Sequence, residues 1–91
     1  MKILITDTAY RHLKDYMGKY NIQPIAEGGI GRDKYGNFVD AQCIEVAEII
    51  EADTEKIKVN LRYYRKASDY YADMKKYEGF NAYIYRDSIF R

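Results

Sequence analysis

Side chains that bind by stacking, hydrogen bonding and charge crowd the second half of this 91-residue chain, while those able to make or break bonds are few and scattered. Tyr63, Tyr64, Tyr70, Tyr71, Tyr77, Tyr83 and Tyr85 interleave with Arg62, Arg65, Lys66, Lys75, Lys76 and Arg86. A tyrosine buries a large ring yet keeps a hydroxyl that needs water or a partner, so it suits a surface that is later covered. Tyrosine and arginine also dominate the energetics of protein interfaces. On an open sheet beside cations, the same rings would stack unpaired bases. The chemistry implied is recognition.

Residues suited to catalysis do not form a constellation. His12 is the only histidine, and it lies opposite the helical stripe Tyr10, Leu13, Met17, with Asp15 one turn on. Acid–base cleavage of RNA needs a second group, and spacing supplies none. Cys43 has neither a base nearby in sequence nor a second cysteine for a zinc site, and reads as a small strand residue. The stretch Gly28-Gly29-Ile30-Gly31-Arg32 lacks the Gly-Lys-Ser/Thr of a phosphate loop, although Arg32 and exposed amides can grip a phosphate or a partner. No cofactor, metal site or enzymatic activity is expected.

Two local resemblances bear on function. Lys34-Tyr35-Gly36-Asn37-Phe38-Val39-Asp40 resembles the third-strand motif of RNA-recognition domains over seven residues. Its glycine and aromatic are displaced, and Ile3-Leu4-Ile5 lacks that family's stacking aromatic, so a β-turn feeding a strand is the reading taken. Asp7, just after the first strand, is similar in position to the aspartate of small ferredoxin-like CRISPR-adaptation proteins, which implies a metal held across a dimer. Helix capping uses the same residue type at the same place, and is preferred.

Bulk properties set the frame. Residues 1–91 make one small domain with room for a single core. Apolar content of 47% and charged content of 32% are globular values. A net charge of +1 argues against both a DNA mimic and a duplex-DNA binder. The charges are segregated, with six acids and no base from Asp40 to Glu55, then five bases and no acid from Lys56 to Lys66. One cysteine, no leader-like segment and no membrane-length apolar run lead to the expectation of a cytoplasmic protein that does not enter the membrane.

The elements that must position the tyrosines follow from periodicity. Lys2–Thr6 reads as a buried strand, and Thr6-Asp7-Thr8 cap a helix carrying Tyr10, Leu13, Met17 and Tyr20 on one face. Residues 22–26 suggest a short strand confined to an edge by Pro24. Four glycines make residues 27–37 a flexible loop. Ile57, Val59, Leu61 and Tyr63 alternate with Lys56, Lys58, Asn60 and Arg62, a strong amphipathic strand. Its hairpin partner is residues 44–51, turning at Ala52–Glu55, so that Glu51 meets Lys56 and Glu45 meets Arg62. Ser68 caps a second helix with Ala67, Tyr70, Met74 and Tyr77 on one face and Gly79 as its stop. Phe80–Arg86 alternates as a last strand, and the apolar Ile89-Phe90 docks elsewhere.

Strand-helix-strand-strand-helix-strand is the split βαβ order, so the expected fold is a ferredoxin-like βαββαβ α+β sandwich, an antiparallel sheet with two helices on one face. The expected function is a non-enzymatic interaction module that covers a larger protein or ribonucleoprotein complex. Its contacts would be Tyr64, Arg65, Lys66, Tyr71, Tyr83, Tyr85 and Arg86, with Arg32 from the glycine loop. Small size and an Ile-, Tyr- and Lys-rich composition suit a phage or mobile-element inhibitor of a host system, of the anti-CRISPR or anti-defence type. The alternative is a small protein that binds single-stranded RNA, or a ribonuclease toxin, using the same surface. A homodimer whose tail or sheet edge consumes the apolar surface is a third option.

Overall fold

The computed structural model describes residues 1–65 and 77–90. The described elements are β1 (Lys2–Thr6), α1 (Asp7–Gly18), β2 (Gln23–Pro24), β3 (Ala26–Arg32), β4 (Phe38–Ala52), β5 (Lys56–Tyr64) and β6 (Tyr77–Tyr85), followed by a 3-10 turn, Arg86–Ser88. Every strand pairing is antiparallel, and the strands form a curled half-barrel rather than a ferredoxin-like sandwich.

The strand that organises this curl is β4. Its first half is paired on both edges, Leu4 opposite Cys43 on one side and Glu27 opposite Cys43 on the other. Its second half turns away to pair with β5, Val46 opposite Leu61 and Ala52 opposite Ile57, through two register shifts. Each shift inserts an extra residue, which bends the strand and increases its twist. The backbone of residues 23–32 fills the fork so created, with Gln23–Pro24 on the end of β5 and Ala26–Arg32 on β4. Pro24 has no N–H to donate, and this short end pairing is where such a residue is tolerated.

Two expectations about the middle and end of the chain are corrected here. The glycine-rich stretch is a strand over Ala26–Arg32, and only 33–37 turns, held by the Asp33 carboxylate accepting from the Tyr35 and Asn37 amides at 2.9 Å each. Glycine is needed there for space: a Cβ on Gly29 would stand 2.9 Å from Leu4, and one on Gly31 2.7 Å from the Phe90 ring. The second helix was placed over residues that fall largely outside those described. At its expected C-terminal end, Tyr77 is instead in β6 opposite Tyr63, and Gly79 (φ +124°) is the extra residue of a bulge, not a helix stop.

α1 starts at Thr6, whose hydroxyl accepts from the Ala9 amide at 3.1 Å, and Asp7 pairs with Arg11 one turn on at 2.9 Å. It ends where Asn21 takes a left-handed conformation (φ 59°), which asparagine tolerates. Its apolar stripe, Leu13 and Met17, closes the concave side of the curl over Ile5, Ile44, Val46, Val59, Leu61, Ala82 and Ile84. Ile5, Met17, Ile44, Val46, Val59 and Leu61 are fully buried. Each such side chain contributes about 1.5–3 kcal/mol of burial free energy. Beyond the 3-10 turn the chain returns to β1: Ile89 bridges Ile5, and the Phe90 amide donates to the Leu4 carbonyl at 2.9 Å.

Candidate functional site

Alternation in β5 and β6 divides the hairpin into two faces. Phe80, Ala82 and Ile84 join Ile57, Val59 and Leu61 on the concave side, leaving Asn81, Tyr83 and Tyr85 on the convex side. Pairing then sets Tyr85 opposite Lys56, Tyr83 opposite Lys58 and Asn81 opposite Asn60. Asn60 Nδ2 donates to Asn81 Oδ1 at 2.8 Å, which fixes this register on the outer face. Tyr83 and Tyr85 remain 55% and 56% exposed. The Lys56 and Lys58 ammonium groups sit 4.7 and 5.7 Å from the Tyr83 ring centroid. An ammonium over an aromatic ring at an exposed site is worth about 0.5–1 kcal/mol, which favours this placement of the ring.

Of the expected contact residues, Tyr83, Tyr85 and Arg86 are brought together. The Arg86 guanidinium donates through Nε to the Asp53 carbonyl and its amide to the Glu55 carbonyl, closing the end of the hairpin. Tyr64 and Arg65 lie at the other end of β5. The half-buried Tyr64 hydroxyl donates to Gln23 Oε1 at 3.3 Å, and the Arg65 guanidinium sits 5.4 Å from the Tyr77 ring centroid. Lys66 and Tyr71 lie outside the described residues. Arg32 is on β3, which pairs with β4 rather than with the hairpin, and its guanidinium covers the Phe38 ring at 4.8 Å.

Lys56 and Lys58 are the members of this face that sequence reasoning did not assign to it. Their signal was present: strict alternation with Ile57 and Val59 directs both to the solvent side of the strand that pairs with β6. The expected contact of Lys56 with Glu51 is replaced, because the register shifts in β4 set Glu51 opposite Lys58. The other expected cross-strand pair forms, Arg62 lying 3.7 Å from Glu45 and 3.5 Å from Glu78.

A second feature adjoins this face. A groove of about 520 Å³ runs between α1 and β6, with Ile5, Leu13, Ala82 and Ile84 inside it, Thr8, Ala9, His12 and Tyr16 along the helix, Asn81, Tyr83 and Tyr85 along the strand, and Lys58 reaching it from β5. Tyr16 closes one end with Tyr20 and Phe80, the three ring centroids lying 5.6–5.7 Å apart. A hydrogen bond with Tyr20, and then the charge Tyr20 carries when ionised, hold the Tyr16 hydroxyl above its ordinary pKa.

Among the described residues no three histidine, cysteine or acidic side chains gather as a metal site, and no helix is long and apolar enough to cross a membrane. Asp7 is occupied by Arg11 in the first turn of the helix. No known protein family matches the chain, and no curated protein or solved structure matches it.

Proposed function

We propose that this chain is a non-enzymatic protein-recognition module that engages a larger protein through the outer face of the β5–β6 hairpin. The observation that carries this reading is the placement of Tyr83 and Tyr85, each more than half exposed, side by side over Lys56 and Lys58. Tyrosine has few rotatable bonds to order on binding, and exposed tyrosines match the aromatic enrichment of interface cores, with Lys56 and Lys58 suited to the polar rim. Single-stranded RNA is the less favoured ligand. Stacking needs an open ring face, and the Tyr83 ring is already approached by two ammonium groups. The narrower case, a mobile-element inhibitor that occludes a host complex, follows if the captured partner is a component of such a complex.

The test is capture from bacterial lysate by the immobilised full chain, with and without nuclease, beside a Tyr83→Ala/Tyr85→Ala variant. A protein retained in stoichiometric amount after nuclease, and lost with the variant while its far-UV spectrum stays native, is the expected result. Retention of nuclease-sensitive material alone would move the assignment to RNA, since phosphate contacts also weaken steeply with salt.

A further inference from the structure

We infer that the outer edge of β6 is a receptor for an added β-strand, and that its ligand is an extended peptide segment of a partner protein in which apolar and acidic side chains alternate. This deepens the proposed protein-recognition role and rests on it. The first argument is backbone geometry. The Arg86 amide donates to the Glu55 carbonyl, and Arg86 continues the register in which Tyr85 faces Lys56. In an antiparallel ladder, residue pairs that exchange both bonds alternate with pairs that exchange none. Phe80, Ala82 and Ile84 therefore direct their N–H and C=O groups to β5, whereas those of Asn81, Tyr83 and Tyr85 point away from it. Among the described residues β6 pairs with β5 alone, so these three residues present a row of edge donors and acceptors.

The second argument is that this edge is not protected as the other one is. Unpaired edges invite intermolecular pairing, and proteins blunt them with bulges, charges or proline. The second half of β4, beyond its contact with β1, carries two register shifts and the exposed Glu48 and Glu51. From Phe80 to Tyr85, β6 is regular and has neither charge nor proline. It borders instead an apolar groove large enough to take side chains. Backbone bonds that supply affinity, with pockets that read alternate side chains, are the two components of strand-addition recognition.

The third argument fixes the ligand's chemistry. A strand laid beside β6 alternates its side chains between the groove, over Ala82, Ile84 and Leu13, and the outer face, beside Tyr83 and Lys58. The groove side is apolar. Besides the phenols of Tyr16, Tyr83 and Tyr85, the titratable side chains lining the groove are Lys58 and His12, with no carboxylate among them, and Lys56 stands over Tyr83. Apolar residues on one side of the strand and carboxylates on the other complete both faces. A second copy paired through its own β6 would set tyrosines against tyrosines, with the lysines of each copy one strand further out, and residues 80–85 would supply no carboxylate to them.

The probe is Ac-Val-Glu-Val-Glu-Val-Glu-Val-NH2, titrated into the 15N-labelled full chain, with Lys-for-Glu, all-Val N-methylated and all-Glu N-methylated forms beside it. The Asn81, Tyr83 and Tyr85 amides are expected to shift and to gain protection from exchange. One N-methylated form should bind roughly tenfold or more weakly and the other nearly as well as the parent, because only alternate peptide amides face β6. Loss with methylated Glu identifies an antiparallel ligand, and loss with methylated Val a parallel one. The Lys-for-Glu form should bind more weakly than the parent. Absence of binding, equal tolerance of both methylations, or shifts confined to α1 would overturn strand addition. A captured partner that depends on Tyr83 and Tyr85 would, in that event, leave the recognition role standing. Absence of any such partner overturns that role separately.

Discussion

The approach of Phe90 to Gly31 gives a quantitative test of how the half-barrel is closed. A Cβ placed on Gly31 would lie 2.7 Å from three carbons of the Phe90 ring, well inside van der Waals contact. The ring cannot yield by rotating a flexible tip, and Gly31 is held in the β3–β4 ladder opposite Val39. Gly31→Ala must therefore displace Phe90, and with it the bond from its amide to Leu4. Overpacking of this kind costs about 1–3 kcal/mol. Phe90→Ala removes a half-buried ring and should cost about 1–2 kcal/mol. The two losses are one event, so the double variant should be no less stable than Phe90→Ala alone, giving a coupling of about 1–3 kcal/mol. Thermal unfolding resolves this readily, since 1 kcal/mol shifts Tm by roughly 4–8 °C in a domain of this size. Gly28→Ala is the control, because nothing lies within 4 Å of its added methyl group. It should be neutral or stabilising by about 0.4–1 kcal/mol through the unfolded chain. Additive losses in the double variant, or an innocuous Gly31→Ala, would refute the placement of the ring.

Other expectations follow from burial and charge. Leu61→Ala and Met17→Ala each empty a fully buried site and should cost about 2–5 kcal/mol in urea unfolding. Asn81→Ala, which removes an exposed amide–amide bond at 2.8 Å, should cost about 1 kcal/mol or less by the same assay. The Lys2–Glu27 ion pair at 2.7 Å raises the lysine pKa and lowers the glutamate pKa, chiefly through the hydrogen bond between them. Its contribution through Glu27 is present above the ordinary carboxylate range and is lost as pH falls through the lowered value. Through Lys2 it is fully present below the ordinary lysine value and is lost as pH rises through the raised value. Both groups are exposed, so the effect on stability should be slight. NMR titration should show each partner's shift abolished by Glu27→Gln or Lys2→Gln.

What could be read from the residues was what period and capping determine. The strand Lys56–Tyr64, the outward set of Tyr83 and Tyr85, the Thr6 cap and the Glu45–Arg62 contact all follow from local spacing. The fold did not, because glycine carries two meanings. Gly28, Gly29 and Gly31 look like a loop by composition, yet the same lack of a Cβ lets Leu4 and Phe90 press onto a strand. Reading that stretch as a loop removed one partner of β4 and left a four-stranded sheet as the simplest solution. Gly79 misled in the same way, since a helix stop and a strand bulge both use a positive φ. The register shifts of β4 are invisible in sequence too, and they moved Glu51 from Lys56 to Lys58. For the site, spacing identified the two rings but not their cationic neighbours, which come from the adjoining strand.

The central position of β4 also dictates the order in which this chain can become native during synthesis. β1 leaves the ribosome well before its partners: along one edge it pairs with residues 41–45, and the Val46 amide reaches back to the Met1 carbonyl. Among the described residues its other edge is met by Ile89 and Phe90. The β3–β4 and β4–β5 hairpins close over short separations and can form as they emerge, whereas β1 must wait for both contacts. Loop closure over such distances is slow relative to hairpin formation. Until residues 41–45 emerge, the apolar run Ile3-Leu4-Ile5 is thus an unpaired strand, and its second edge stays open until residues 89–90 follow. Chaperone dependence and aggregation of nascent chains should concentrate there, in a segment that the finished protein holds paired on both sides.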